Sequence, residues 1–290
     1  VALSGFAVKG PLENFRVFVD ENQNGTFDAG EPGVLTAADG SYRLNVDAGS
    51  RLSGEVTSTT VDHSSGRVVE DLFLTAPAGS TVISPMTTIL AQTELTEPEL
   101  RQALGLSVNL LEYNPYADQN VGSDEARAVE HVAQQIATIT RSLTALADGA
   151  ELTERASADI AGAALNSVLV SHLEAETGSK ELWGEGTIGA VLTAYREGLI
   201  EAGYSTETFD ELRDEVAASI DVINQRILAV ADITSDEARA VFGLSSDLQD
   251  ELVSAAGEIV AGNGNPGLSL DNLTGVGYKV SANGYTAPPP

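Results

Sequence analysis

Twelve consecutive residues constrain this chain more than any other stretch: Asp20-Glu21-Asn22-Gln23-Asn24-Gly25-Thr26-Phe27-Asp28-Ala29-Gly30-Glu31. Oxygen-bearing groups fall where a twelve-position calcium loop needs them. Asp20, Asn22 and Asn24 take positions 1, 3 and 5, and Gly25 takes the sharp turn at 6. Thr26 offers its backbone carbonyl at 7, Asp28 stands at 9, and Glu31 closes the loop at 12 as a two-oxygen ligand. The plain alternative is an acidic surface turn, since Asp and Asn abound here. The joint fit of glycine at 6 and glutamate at 12 favours Ca2+ as the bound ion.

The flanks are not those of a helix-loop-helix. Arg16-Val17-Phe18-Val19 runs into Asp20 with β-branched and aromatic residues, and Pro32-Gly33 follows Glu31 where a second helix would begin. The loop therefore joins strands. A cation would cancel the repulsion among Asp20, Glu21, Asp28 and Glu31 and lock a long connection that lacks apolar anchors. The expected role is stiffening rather than switching.

At 290 residues and 42% apolar content, the chain can bury cores for two domains. With 15 Lys and Arg against 43 Asp and Glu, the formal charge of −28 repels phosphate backbones and anionic membrane surfaces, so nucleic acid is excluded as a partner. No run approaches a membrane span and no signal segment opens the chain, so no membrane insertion is expected; a start at Val1 suggests an excised piece of a longer protein. Cysteine is absent, which removes disulfides and thiolate sites. Acidity, no cysteine and a loop of the kind that fills at roughly 10⁻⁴ to 10⁻³ M calcium point to an extracellular setting.

The predicted class is α+β: an N-terminal β-sandwich over residues 1–82, a mostly antiparallel α-helical bundle over 83–262, and a strand with a Pro-rich linker over 263–290. Short strands separated by turns such as Asp39-Gly40-Ser41 and Ser64-Ser65-Gly66 fill the first part, with alternation at Tyr42-Arg43-Leu44-Asn45-Val46. From Ser84-Pro85 the period becomes helical. Ser84 caps one helix, and Thr96-Glu97-Pro98-Glu99 opens a second, which Gly105 ends. A one-faced helix of about 20 residues starts from Ser123, carrying Val129, Val132, Ile136, Ile139 and Leu143. Apolar residues nearly all round 160–173 suggest a central helix. Thr187 to about Ala202 and Thr206 to about Ala231 follow, separated by Gly203, and shorter helices are expected at about 235–242 and 246–261. Ser-Asp-Glu-Ala-Arg-Ala-Val occurs at 123–129 and again at 235–241, where both copies read as helix starts.

The run VKGPLENFRVFVDENQNGTFDAGEPG, with the later DGSY, resembles the B-type, transthyretin-like modules of bacterial surface proteins. VDHSSGRVVEDLFLTAPAGSTVISPMTTIL followed by ALGLSVNLLEYNPYADQ is similar to segments of very large, repetitive, calcium-rich bacterial adhesins of the RTX kind, where a strand module leads into helices. The resemblance covers roughly residues 5 to 120, with Asn14-Phe15 departing from the small residues usual there. It implies part of a secreted, cell-surface adhesin with calcium at Asp20, Asn22, Asn24, Asp28 and Glu31. Its partners would be other domains of the parent adhesin, and a homodimer is a further route because a tail strand can pair with the edge of another copy.

Catalytic patterns are missing from the sequence. His63, His131 and His172 lack metal spacing, no G-x-S-x-G elbow occurs, and Gly184-Glu185-Gly186 lacks the third glycine of a phosphate loop. Asn114-Pro115-Tyr116-Ala117-Asp118-Gln119-Asn120 reads as a stapled turn or a second cation site. Trp183 reads as a core-capping ring or an interface anchor. The expectation is a non-enzymatic spacer or self-association module, with recognition of a peptide or glycan by the bundle as the alternative.

Overall fold

The computed structural model describes residues 2–47, 49–146, 152–174 and 184–268, and the backbone of 280–281 and 284–285. It is an α+β chain in which, among the described residues, ten short strands precede seven helices. Contacts divide it into two compact units, Val1–Ala137 with Val230–Phe242, and Thr138–Ala229 with Gly243–Pro290. Trp183 and the final prolines lie outside the described residues.

In the first unit, β1 (Ala2–Ala7) lies between β10 (Val82–Ile83), to which it runs parallel, and β5 (Ser41–Asn45), to which it is antiparallel. β3 (Arg16–Val19) lies between β4 (Gly33–Leu35) and β6 (Leu52–Glu55), and β9 (Phe73–Ala76) borders β6. β2 (Leu12–Glu13), β7 (Val61–Asp62) and β8 (Arg67–Val68) make a third small sheet. Alternation does the folding work in β5, where Tyr42 and Leu44 are buried while Arg43 and Asn45 are exposed. Phe15, Val17, Leu52, Leu74 and Ile83 join them in one apolar cluster.

The strands do not finish the unit. α1 (Pro85–Gln92) starts with the expected cap, Ser84 Oγ accepting from Thr87 N at 3.2 Å and Thr87 Oγ1 accepting from Ser84 N at 2.8 Å. After α2 (Glu97–Ala103), the Leu111 carbonyl accepts from Thr81 N and Val82 N at 2.9 and 3.1 Å, tying the connection back onto β10. The repeated heptapeptide opens α3 (Asp124–Ala145) and α7 (Asp236–Val260). In each copy the serine caps, Ser123 Oγ accepting from Ala126 N and Ser235 Oγ from Ala238 N, both at 3.0 Å.

The second unit holds α4 (Glu154–Glu174), α5 (Glu185–Glu201) and α6 (Glu207–Ala229), with α5 against both neighbours. α5 ends as expected: Gly203 has φ +83°, a left-handed turn that only glycine enters without cost, and Tyr204 N returns to Leu199 O at 2.9 Å. Tyr195 on α5 is fully buried and packs on Phe209, while its hydroxyl donates to Leu143 O at 2.9 Å.

Two expectations change. The helix over 160–173 buries Ala161, Ala164, Leu165 and Leu169 but exposes Ala163 and Val170, so its small apolar residues give it one buried face rather than burial all round. The two short helices expected between 235 and 261 are one helix. A glycine inside a helix costs about 1 kcal/mol, and burial of Phe242, Leu248, Leu252 and Ala256 outweighs the Gly243 break. In the tail, β11 (Val280–Ser281) pairs antiparallel with β12 (Gly284–Tyr285); the rest of that predicted strand lies outside the described residues.

Candidate functional site: the Asp20–Glu31 loop

β3 delivers Asp20 directly from a buried strand, which is why this carboxylate is only 6% exposed. Its Oδ2 accepts from Gly25 N at 2.9 Å, across the loop, and from Ser53 Oγ on β6 at 3.0 Å. Gly25 turns the chain with φ +72°, and Gln23 adopts a left-handed φ of +58° before it. Asn22 Oδ1 accepts from Asn24 N at 3.0 Å, and Asn24 Oδ1 from Thr26 N at 2.8 Å, so each Asn braces the residue two ahead. Glu31 closes the ring: Oε1 accepts from Glu21 N at 3.0 Å and Oε2 from Asp28 N at 2.9 Å.

The loop thus gathers Asp20, Asn22, Asn24, Thr26, Asp28 and Glu31 into one circuit. Asn22 Nδ2 and Asn24 Nδ2 both donate to Asp28 Oδ2, at 2.7 and 2.8 Å, which brings these three side chains together through their amide nitrogens. Among the described residues, no three Asp, Glu or His side chains group by themselves as a metal site, and the donor set here mixes carboxylates with amides. One observation tests the fit to a cation directly. Asp20 Oδ1 is buried and has no hydrogen-bond partner, a costly state for a carboxylate oxygen and the one that a hard, oxygen-seeking ion would relieve.

Sequence reasoning missed how the loop is anchored. It has an apolar anchor after all: Phe27 meets Phe18 edge-on with centroids 5.5 Å apart, and the Arg16 guanidinium lies over the Phe27 ring 4.7 Å from its centroid. Gly33 leaves the ring its space, since a Cβ there would come 2.8 Å from Phe27 Cε2. Glu55 joins the cluster through Arg16 at 2.7 Å and Phe27 N at 3.2 Å. The signal was present in the aromatic at loop position 8 beside Phe18. Phe27→Ala should lower stability by about 1–2 kcal/mol, less than a core Phe because the ring is only half-buried, measured as a shift in denaturant midpoint at unchanged slope.

The other candidates make hydrogen bonds to neighbouring residues. His63 Nε2 meets Glu13 at 2.8 Å at the surface, His131 Nε2 donates to Val230 O at 3.0 Å, and His172 Nε2 lies 3.2 Å from Thr187 Oγ1. The 114–120 stretch is a turn tied internally, with Asn114 Oδ1 accepting from Tyr116 N at 2.9 Å and Asn120 Nδ2 donating to Asn114 O at 2.7 Å. Tyr116 turns inward toward Asp62 and Glu130, and its buried hydroxyl is pushed well above the usual range by loss of solvent and by those carboxylates. Among the described residues, no helix is long and apolar enough to cross a membrane. No protein-family model, no curated protein and no solved structure matches the chain.

Proposed function

We propose that this chain is a non-enzymatic, calcium-stapled segment of a secreted bacterial cell-surface adhesin, in which the Asp20–Glu31 loop stiffens the strand unit. The buried, unpartnered Asp20 Oδ1 at the head of a twelve-residue circuit of oxygen donors is the observation that carries the reading. Asp20, Asn22, Asn24, the Thr26 carbonyl, Asp28 and Glu31 would hold the ion, and its charge would offset the crowding of acids at one end of β3. Ser53 and Phe27 tie the loop to β6 and β3, so order gained in the loop would be transmitted to the sheet.

Titration of calcium into the purified chain should reveal one site, and Glu31→Gln should weaken it by an order of magnitude or more, since one of the paired closing oxygens is lost. Unchanged affinity in Glu31→Gln would sink the ligand assignment. Self-association through the helices belongs to the same reading as the spacer, and recognition of a peptide or glycan by them is the alternative. A shallow, open and mainly apolar depression in the second unit, lined by Val168, His172, Ala190, Ala194, Glu197 and Arg213, is the place where such a ligand would be sought. Sedimentation with and without calcium separates a homodimer from a monomer.

A further inference from the structure

Asn-Gly is the dipeptide most open to attack by a backbone nitrogen on the preceding side-chain amide, because glycine has no Cβ to shield its N–H. It occurs at 24–25, 263–264 and 283–284, and the first two lie among the described residues. The fold closes one of these and leaves the other open.

At 24–25 every group that the attack needs is held. Gly25 is buried, and its N–H donates to Asp20 Oδ2 at 2.9 Å. Asn24 Oδ1 accepts from Thr26 N and Asn24 Nδ2 donates to Asp28 Oδ2, both at 2.8 Å. At 263–264 the chain has just left α7, and residues 261–266 are all exposed. Gly264 has φ +82°, a Cβ built on it would meet nothing within 4 Å, and its N–H makes no hydrogen bond among the described residues. One bond holds the Asn263 side chain, from Nδ2 to Glu258 Oε2 at 2.7 Å, at a surface where water competes for both partners.

We propose that Asn263 is a site of spontaneous modification in the folded protein, converting to aspartate and isoaspartate through a cyclic imide with Gly264, and that the conversion releases the segment after α7 from α6. Gly264 N gives its proton to water or hydroxide and attacks Cγ of Asn263. Nδ2 takes up a proton, the Cγ–Nδ2 bond breaks, and ammonia leaves a five-membered imide. Water then adds to one of the two imide carbonyls and breaks its bond to nitrogen, which recovers a proton. Opening at Cγ gives aspartate, and opening at the main-chain carbonyl gives isoaspartate. One water enters, one ammonia leaves, and nothing is oxidised or reduced.

The neighbouring bonds set the consequence. α7 is closed by Gly262 N donating to Ile259 O at 2.9 Å and Asn263 N to Glu258 O at 3.0 Å. Beyond it, Asn265 Nδ2 donates to Glu211 O at 3.0 Å and Leu268 N to Glu215 Oε2 at 3.2 Å, which ties these residues to α6. Isoaspartate routes the main chain through the side chain and lengthens it by one methylene, shifting residues 265–268 relative to their α6 partners. Either product also sets a carboxylate beside Glu258, which until then accepted from the amide, so attraction becomes repulsion.

Peptide mapping of the full chain, aged in mildly alkaline buffer with chelator, tests the proposal. Chelator keeps the result independent of whether the loop binds calcium. Trypsin releases Asn24 in 17–43 and Asn263 in 240–279, apart from Asn283 in 280–290. Residue 263 should become aspartate and isoaspartate, while Asn24 converts about tenfold more slowly or beyond, since three hydrogen bonds must open there first. In urea, where those bonds are lost, the two should convert at similar rates. Asn263 outlasting or matching Asn24 in the folded chain, or an equal gap between them in urea, would overturn the proposal. Hydrogen exchange at the Leu268 amide should be about tenfold faster in the aged chain than in the fresh one, and unchanged in Asn263→Gln aged alongside, whose longer side chain closes a ring far more slowly. Equal exchange in fresh and aged wild-type chain, or the same rise in Asn263→Gln, would overturn the release from α6.

Discussion

Asp62→Ala is expected to cost about 3–5 kcal/mol of folding stability, read from denaturant unfolding. The deletion strands the Lys9 ammonium without its partner at a fully buried position, removes the acceptor of Ser64 Oγ, and leaves Ser65 Oγ only the long contact to the backbone carbonyl of residue 62. Burial alone would raise the Asp62 carboxyl; the Lys9 charge and the Lys9 and Ser64 hydrogen bonds more than offset it and hold it below the ordinary range. Removing both charges together, as in Lys9→Met with Asp62→Leu, should cost much less than Asp62→Ala, since no buried charge is then left over. A small effect of Asp62→Ala would mean that water reaches Lys9.

The second large effect is a pH dependence that cancels in the wild type and appears in its variants. A carboxyl whose pKa is raised in the fold holds its proton more tightly there. Glu130, pushed to about 7 by burial, therefore contributes fully below its unfolded value of 4.5 and loses about 3 kcal/mol as pH rises through about 7. His131, the next residue, has the opposite sign. Burial lowers it to about 4, against the pull of Val230 O and with a further push from Arg127, so stability rises by about 3 kcal/mol as pH climbs from 4 to its unfolded 6.5.

Between pH 4.5 and 6.5 the two slopes oppose each other. His131→Gln should fall in stability across pH 4.5 to 7, whereas Glu130→Gln should rise across pH 4 to 6.5 and then level off. Urea unfolding at a series of pH values separates the three proteins. Parallel curves for all three would show that neither side chain is desolvated in solution.

Much of this architecture is legible in the residues. The turns of the loop are legible because they are set by spacing along twelve contiguous residues, and the helix starts because caps are local: Ser84, Ser123 and Ser235 all accept the predicted kind of bond. Gly203 ends α5 for the same local reason. What escapes a sequence reading is long-range. Lys9 follows a strand and precedes Gly10-Pro11, the setting of an exposed turn charge, and nothing nearby reveals an acid 53 positions on. Glu130 looks like a solvated helix position until β7 and the 114–120 turn cover it. Gly243 looks like a break because propensity is local, while the burial that carries α7 through it is not. Phe27 shows the middle case: the aromatic is visible, but its seat on Gly33 and Phe18 depends on the β3–β4 register.

Thermal unfolding of the full chain in about 10 mM calcium and in chelator tests the central claim most directly. A site filling near 10⁻⁴ M would be saturated about a hundredfold, stabilising the folded state by about 2.7 kcal/mol and raising the melting temperature by roughly 5 °C or more. Glu31→Gln should lose most of that rise. Identical melting curves for the wild-type chain in calcium and in chelator would contradict the account, leaving Asp20 to Glu31 as an acidic turn held by its own hydrogen bonds.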